Sequence, residues 1–175
     1  GDPLYRPFKV SLAEQLKFSE ESTFTAYASI RETNRILAEE GSKPAIAYAR
    51  SEFISQPSLA LAYRLAQLYA SEAKDREAVE VLKIIRFITS FSPDDLVLIQ
   101  KIANFLHKRG ESEMAFNIYK NLLEERDLDK QLKIALFQGG ARIAVTQNEP
   151  VIASRWNLEA SKLKSPPTPR PANKK

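Results

Sequence analysis

Hydrophobic and polar residues alternate along this chain with the period of an α-helix. The clearest hydrophobic stripe consists of Met114, Ala115, Ile118, Tyr119, Leu122 and Leu123. Its members recur in pairs four positions apart, which is the spacing of one face of an amphipathic helix. Further stripes are marked by Leu61, Leu65, Leu68 and Tyr69, by Ala78, Leu82, Ile85 and Ile88, and by Ile99, Ile102 and Leu106. The pattern therefore predicts an all-α protein.

Short breaks divide the remaining helical stretches. Near the start we expect helices over residues 23–40 and 45–54, divided by Gly41–Pro44. Near the end we expect helices over residues 129–147 and 150–163. The dipeptides Asn-Gly and Asp-Gly, which are typical of β-hairpin turns, are absent from the sequence. Helices with short connections are therefore favoured over strands.

Two local signals mark the ends of a helix in the middle of the chain. Ser92 resembles an N-cap residue, with Pro93 in the first turn and Asp94 and Asp95 near the positive end of the helix. Gly110 is typical of the residue that ends a helix.

The helical domain is predicted to cover residues 23–163, with a different kind of sequence on either side. Residues 1–22 form an N-terminal extension, in which Ser11–Glu14 resemble a capping box that opens a short helix. Residues 164–175 are rich in proline and in cations. Because proline prevents helix and little apolar surface is available for burial, we expect a disordered or polyproline-like tail.

An internal repeat is visible in the predicted second helices. An alanine is followed four positions later by a larger residue in Ala78 with Leu82 and Ala115 with Tyr119, and more weakly in Ala45 with Ala49 and Ala153 with Asn157. The alanine spacings are 33, 37 and 38 residues. The predicted first helices carry a second recurring pattern in Leu65, Ala66 and Tyr69, in Ile102, Ala103 and Leu106, and in Gly140, Ala141 and Ala144. Small residues at such positions allow two helices to cross closely.

These patterns resemble the tetratricopeptide repeat, whose period is about 34 residues. Residues 59–123 are similar to two such repeats, and residues 26–56 and 134–161 resemble them loosely. Ala62 and Ile99 occupy the usual tryptophan position, and the usual closing proline is missing after the second unit. The resemblance implies a right-handed α-solenoid of about four antiparallel helical hairpins.

The same resemblance implies a concave groove, lined by the first helices, that holds a peptide. The positions that it assigns to this groove are Asn34, Tyr63, Gln67, Gln100, Lys101, Asn104, His107, Gln138 and Arg142. Amides can donate and accept hydrogen bonds to a peptide backbone, and Lys101 and Arg142 favour an acidic partner. Only Lys101 and Asn104 match the clamp by which some family members hold a C-terminal carboxylate, so that ligand is not predicted. The alternative is that these side chains form ordinary solvated faces.

Charge argues against a broad nucleic-acid surface. The chain carries a net charge of +4, but five cations and no acid lie from Lys162 onward, and subtracting these five leaves −1 for the rest. A nucleic-acid-binding domain needs clustered cations on its folded part. We therefore expect nucleic acid to be an unlikely partner, and we expect membrane contact only through the basic tail or a missing anchor.

The sequence contains little that favours catalysis or a cofactor. Cysteine is absent, and His107 is the only histidine, so a metal site would need carboxylates, which show no suitable spacing. No Gly-x-Ser-x-Gly or glycine-rich phosphate loop occurs. Gly139 and Gly140 are interpreted as close helix packing or a kink, and Trp156 as a core residue. We expect no enzyme activity, no metal, no cofactor and no small-molecule substrate.

The leading functional hypothesis is therefore a non-catalytic adaptor that binds another protein or peptide. A structural subunit that assembles through apolar helix faces is the alternative, motivated by Ile84, Phe87 and Phe91 outside the stripe of the second helix. An RNA-binding helical repeat is the third. The absence of cysteine and the opening Gly1-Asp2-Pro3, typical of a cloning remnant, favour a bacterial, periplasmic or membrane-tethered origin, with the cytoplasm as the alternative.

Overall fold

The computed structural model describes residues 19–87, 95–124 and 128–165, and every regular element within these ranges is helical. The α-helices are α1 (Ser19–Glu40), α2 (Ser42–Ser55), α3 (Leu59–Ser71), α4 (Asp75–Leu82), α5 (Leu96–Lys108), α6 (Ser112–Leu123), α7 (Lys130–Thr146) and α8 (Pro150–Lys164). A 3-10 helix, Lys83–Phe87, continues directly from α4. The all-α prediction is confirmed.

The helices pack in pairs that follow the order of the chain. The extensive contacts join α1 to α2, α3 to α4, α5 to α6 and α7 to α8. Successive pairs contact one another through α2 and α3, α4 and α5, and α6 and α7, and the first helices α1, α3, α5 and α7 also touch in sequence. The core therefore runs continuously from one pair to the next.

Three of the pairs close with the same turn. Each turn contains one residue in the left-handed region, namely Ala73 (φ 56°), Gly110 (φ 89°) or Asn148 (φ 55°). The amide of the following residue donates to a carbonyl five positions back, in Lys74 to Tyr69 (2.8 Å), Glu111 to Leu106 (2.9 Å) and Glu149 to Ala144 (3.0 Å). These bonds satisfy carbonyl groups at the helix ends. The repeat detected among the alanines therefore extends to the backbone of the turns.

The recurring small residues lie where the paired helices meet. Ala45, Ala78 and Ala115 have no exposed surface, and Ala153 is 4% exposed. Leu82 and Tyr119, the larger partners of the two clearest pairs, are fully buried. Asn157 is exposed, and Trp156 beside it is buried instead. The prediction that Trp156 belongs to the core is confirmed.

Ile84, which motivated the alternative of assembly through apolar helix faces, is buried within the chain. Ile84 is only 1% exposed, and Ile85 beside it is also buried. The 3-10 helix that carries Ile84 contacts α3 as well as α4, so that more than one of its sides is covered. Ile84 is therefore not available to an apolar face that packs against another subunit. Phe91 and the side chain of Phe87 lie outside the described residues.

The helix bounds differ slightly from those predicted. The first helix begins at Ser19 rather than Thr23, and the second begins at Ser42, so that Pro44 lies in its first turn, where a missing amide proton is tolerated. Asp95 is the N-cap of α5. The capping box at Ser11–Glu14, the cap at Ser92 and most of the tail lie outside the described residues. Nowhere in residues 19–87, 95–124 and 128–165 does a helix have the length and apolar character needed to cross a bilayer.

Candidate functional site

The predicted groove residues occupy equivalent positions on the first helices of the pairs. Asn34, Gln67, Asn104 and Arg142 lie on α1, α3, α5 and α7, and each precedes by eleven residues the buried alanine of its second helix. None of the nine predicted side chains is buried: Asn34, Lys101, Asn104 and Arg142 are exposed, and Tyr63, Gln67, Gln100, His107 and Gln138 are half-buried. We call these nine residues, together with Arg31, Arg64 and Lys108 on the same sides of their helices, the polar face.

Arg64 joins two of the predicted residues into a first cluster. Its Nε donates to Oδ1 of Asn34 at 2.8 Å, and its Nη1 donates to Oε1 of Gln67 at 3.3 Å. The bond to Asn34 connects α3 with α1. Sequence reasoning named Asn34 and Gln67 but missed Arg64, although its position, three residues before Gln67, places it on the same side of α3.

The hydroxyl of Tyr119 joins further predicted residues into a second cluster. It donates to Oδ1 of Asn104 at 2.6 Å, and it also hydrogen-bonds Gln100. Burial raises the pKa of Tyr119, while the bonds to Gln100 and Asn104 and the charge of Arg142 act to lower it. Tyr119 belongs to α6, so a second helix delivers this hydroxyl to the polar side of α5 and α7.

Gly139 and Gly140 make room for this arrangement. A Cβ atom at Gly139 would lie 2.7 Å from the Tyr119 hydroxyl oxygen, and a Cβ atom at Gly140 would lie 2.9 Å from the Trp156 ring. Separations below about 3 Å are steric clashes between non-bonded heavy atoms. The interpretation of these glycines as sites of close helix packing is confirmed.

The other predicted residues have separate surroundings. Tyr63 packs edge-on against Phe105, with 6.0 Å between the ring centroids, and so connects α3 with α5. His107 shares a hydrogen bond of 2.8 Å between its Nδ1 and Oγ of Ser112, across the turn between α5 and α6. The structure thus gathers Asn34 with Gln67 around Arg64, and Gln100 with Asn104 around the Tyr119 hydroxyl. Arg142 is near enough for its charge to act on the pKa of Tyr119. The structure does not gather Lys101, His107 and Gln138 into either cluster.

Charge is divided between the helices. Three of the first helices, α3, α5 and α7, contain no Asp or Glu, and their cations are Arg64, Lys101, Lys108, Lys130, Lys133 and Arg142. The second helices carry acids, with three of them in α4, namely Asp75, Glu77 and Glu80. The residues before Lys162 are near neutral as a whole, but the formal charges on α3, α5 and α7 are all positive.

Within the described ranges, no group of three or more His, Asp or Glu side chains is placed to hold a metal ion. No family model matches the chain, and no curated protein matches it. The geometry of the polar face is therefore the main guide to the function of this chain.

Proposed function

We propose that this chain is a non-catalytic adaptor that binds a segment of another protein along the polar face, in the groove of a right-handed α-solenoid similar to the tetratricopeptide repeat. The observation that carries the proposal is the pair of side-chain clusters around Arg64 and the Tyr119 hydroxyl. Polar side chains that are fixed by their neighbours lose less conformational entropy when they bind a partner.

The chemistry of the face favours a peptide as the ligand. Amide side chains can pair with peptide groups, and the cations of α3, α5 and α7 favour acidic segments. The four pairs bury a continuous core and leave one side of each first helix exposed. In an α-helical repeat, such sides join into an extended binding surface.

Selection from a random peptide library displayed on phage would test the proposal. The full chain is compared with a Gln100→Ala/Asn104→Ala/Arg142→Ala variant and with a matched control, Asn117→Ala/Arg155→Ala/Asn157→Ala, which removes exposed residues of similar type from the second helices. Circular dichroism and urea unfolding verify that all three fold alike. Peptides that bind the wild type and the control but not the first variant are expected. Peptides that bind all three equally would contradict the proposal.

A second candidate function is assembly through α8. Val151 and Leu158 lie seven residues apart on one side of this helix and are 69% and 55% exposed. Such spacing places two apolar side chains on one face. If this face mediates assembly, sedimentation velocity will show an oligomer that the variant Val151→Ser/Leu158→Ser converts to a monomer. A monomeric wild-type chain would dismiss this candidate.

A further inference from the structure

We infer that Arg64 is the residue that anchors a side-chain carboxylate of an acidic peptide segment on the polar face. This inference rests on the proposed binding function, and it adds the chemical class of the partner and the residue that recognises it. Arg64 was not among the positions that the repeat resemblance assigned to the groove.

The hydrogen bonds of Arg64 fix the direction in which its neighbours point. A guanidinium can only donate, so Asn34 and Gln67 must both turn their carbonyl oxygens toward it. Their NH₂ groups are then left to face other acceptors. The Tyr119 hydroxyl donates to the carbonyl oxygen of Asn104, which turns the NH₂ group of that amide away from the hydroxyl. Three amides of the face are thereby oriented as hydrogen-bond donors.

The same bonds leave part of the guanidinium available. Of its five N–H groups, Nε–H is used by Asn34 and one Nη1–H by Gln67. The remaining donors are on the two terminal nitrogens, which can bind the two oxygens of one carboxylate. Because Asn34 and Gln67 hold the group from α1 and α3, its orientation is set before a ligand arrives.

Arg64 differs from the arginines that are paired with acids. Arg35 is flanked by Glu32 and Glu39, and Arg109 lies 3.5 Å from Asp75. Those neighbours neutralise the charge, and Arg35 has its pKa raised by them. Arg64 makes no ion pair with the carboxylates of the described residues. Its neighbours position the guanidinium without neutralising it, which is the state expected of a group that receives an anion.

The anion is better supplied by a protein than by a nucleic acid. Tyr63, the aromatic residue nearest to Arg64 in sequence on this face, already packs edge-on against Phe105. Binding of single-stranded RNA usually depends on aromatic rings that stack on bases. The residues before Lys162 also carry a net charge of −1, which disfavours binding along a phosphate backbone.

The test measures binding of a short, fluorescein-labelled, C-terminally amidated oligo-glutamate peptide by anisotropy, with the matching oligo-glutamine peptide for comparison. The variants are Arg64→Gln and Arg64→Lys, and Arg155→Gln on the exposed side of α8 is the control. Charge-assisted bonds from a positioned guanidinium predict that both Arg64 variants weaken binding about tenfold or more. Arg155→Gln is expected to leave binding unchanged, because Arg155 lies on α8, outside the polar face. The basic tail is present in every variant and contributes equally to each measurement.

The outcomes separate this inference from the broader proposal. Equal binding of glutamate and glutamine peptides, or full binding by Arg64→Lys, would overturn the assignment of Arg64, since lysine keeps the charge but not the planar fork. If library peptides still depend on Gln100, Asn104 and Arg142 in that case, the polar face remains the binding site. Displacement of the glutamate peptide by polyuridylate at the same Arg64-dependent site would favour nucleic acid and overturn the choice of a protein ligand.

Discussion

The hydroxyl of Tyr119 occupies the space that a side chain at residue 139 would need. A Cβ atom at Gly139 would lie 2.7 Å from this oxygen and 3.2 Å from the Cζ atom that bears it. Tyr119 has no exposed surface as a whole residue, yet its hydroxyl reaches Asn104 on the polar face. The glycine and the tyrosine are therefore parts of one contact between α6 and α7.

Gly139→Ala is expected to destabilise the chain. Alanine has the higher helix propensity, by about 1 kcal/mol, but overpacking against Tyr119 costs about 1–3 kcal/mol. We expect a net loss of about 1 kcal/mol in the free energy of unfolding, measured with urea. Tyr119→Phe removes the hydroxyl oxygen, which is the atom closest to the added Cβ. Tyr119→Phe should therefore cost less stability in the Gly139→Ala variant than in the wild-type chain. A more stable Gly139→Ala variant would show that α7 shifts away freely.

Substitutions in the turns that close the second and third pairs should have opposite effects on stability. Ala73 adopts φ 56° and Gly110 adopts φ 89° at equivalent positions. A Cβ atom is unfavourable in this region by about 1–2 kcal/mol. Ala73→Gly should therefore raise the melting temperature, and Gly110→Ala should lower it. Because nothing lies within 4 Å of a Cβ atom at Gly110, the second effect reports backbone strain and not a clash.

The buried phenol of Tyr119 predicts a loss of stability in alkali. Burial raises its pKa above the ordinary value of 10.0, so the folded state binds the proton more tightly than the unfolded state. The resulting stability is fully present below pH 10.0 and is lost as the pH rises through the folded pKa. Tyr119→Phe should make the decline of the urea midpoint above pH 10.0 less steep. Part of the decline should persist in this variant, because the pKa of Tyr48 is also raised. An unchanged slope would place the phenol in solvent.

Phe105 and Asp75 both lie close to Arg109 but are expected to differ greatly in their contributions to stability. The guanidinium carbon of Arg109 lies 3.5 Å from the centroid of the Phe105 ring, and Phe105 also contacts Tyr63. Phe105→Ala should cost about 3–5 kcal/mol, since it removes a buried ring. Asp75 has a side chain that is 65% exposed, so Asp75→Asn should cost less than about 1 kcal/mol. Chemical unfolding of both variants checks this order.

The sequence was sufficient for the helices but not for the details that deviate from regular helix geometry. The hydrophobic stripe that includes Tyr119 predicted α6, and Gly110 predicted the end of α5. The burial of Ile84 beside Ile85 does not follow from the helical period, and neither does the change to a 3-10 helix at Lys83. The turn at Ala73 was equally unexpected, since alanine rarely adopts the left-handed region and its sequence gives no sign of it.

The candidate site shows the same limit. The repeat resemblance was enough to place Asn34, Gln67 and Asn104 on first helices, where Asn34 and Asn104 are exposed and Gln67 is half-buried. The orientation of Asn34 and Asn104 depends on Arg64 and on the Tyr119 hydroxyl, which approach from a neighbouring helix, whereas Arg64 reaches Gln67 within α3. Contacts between residues 30 or 15 positions apart in sequence are set by the packing of whole helices. Spacing within one helix therefore cannot reveal them.

Trp156 makes the last helix visible to fluorescence. It is the only tryptophan in the chain, and in α8 it packs against Gly140 of α7 and Phe116 of α6. Its emission will therefore shift to longer wavelength when α8 separates from these helices, even if the earlier pairs stay folded. An emission change that precedes the loss of circular dichroism would reveal unfolding that begins at this end, without any added label.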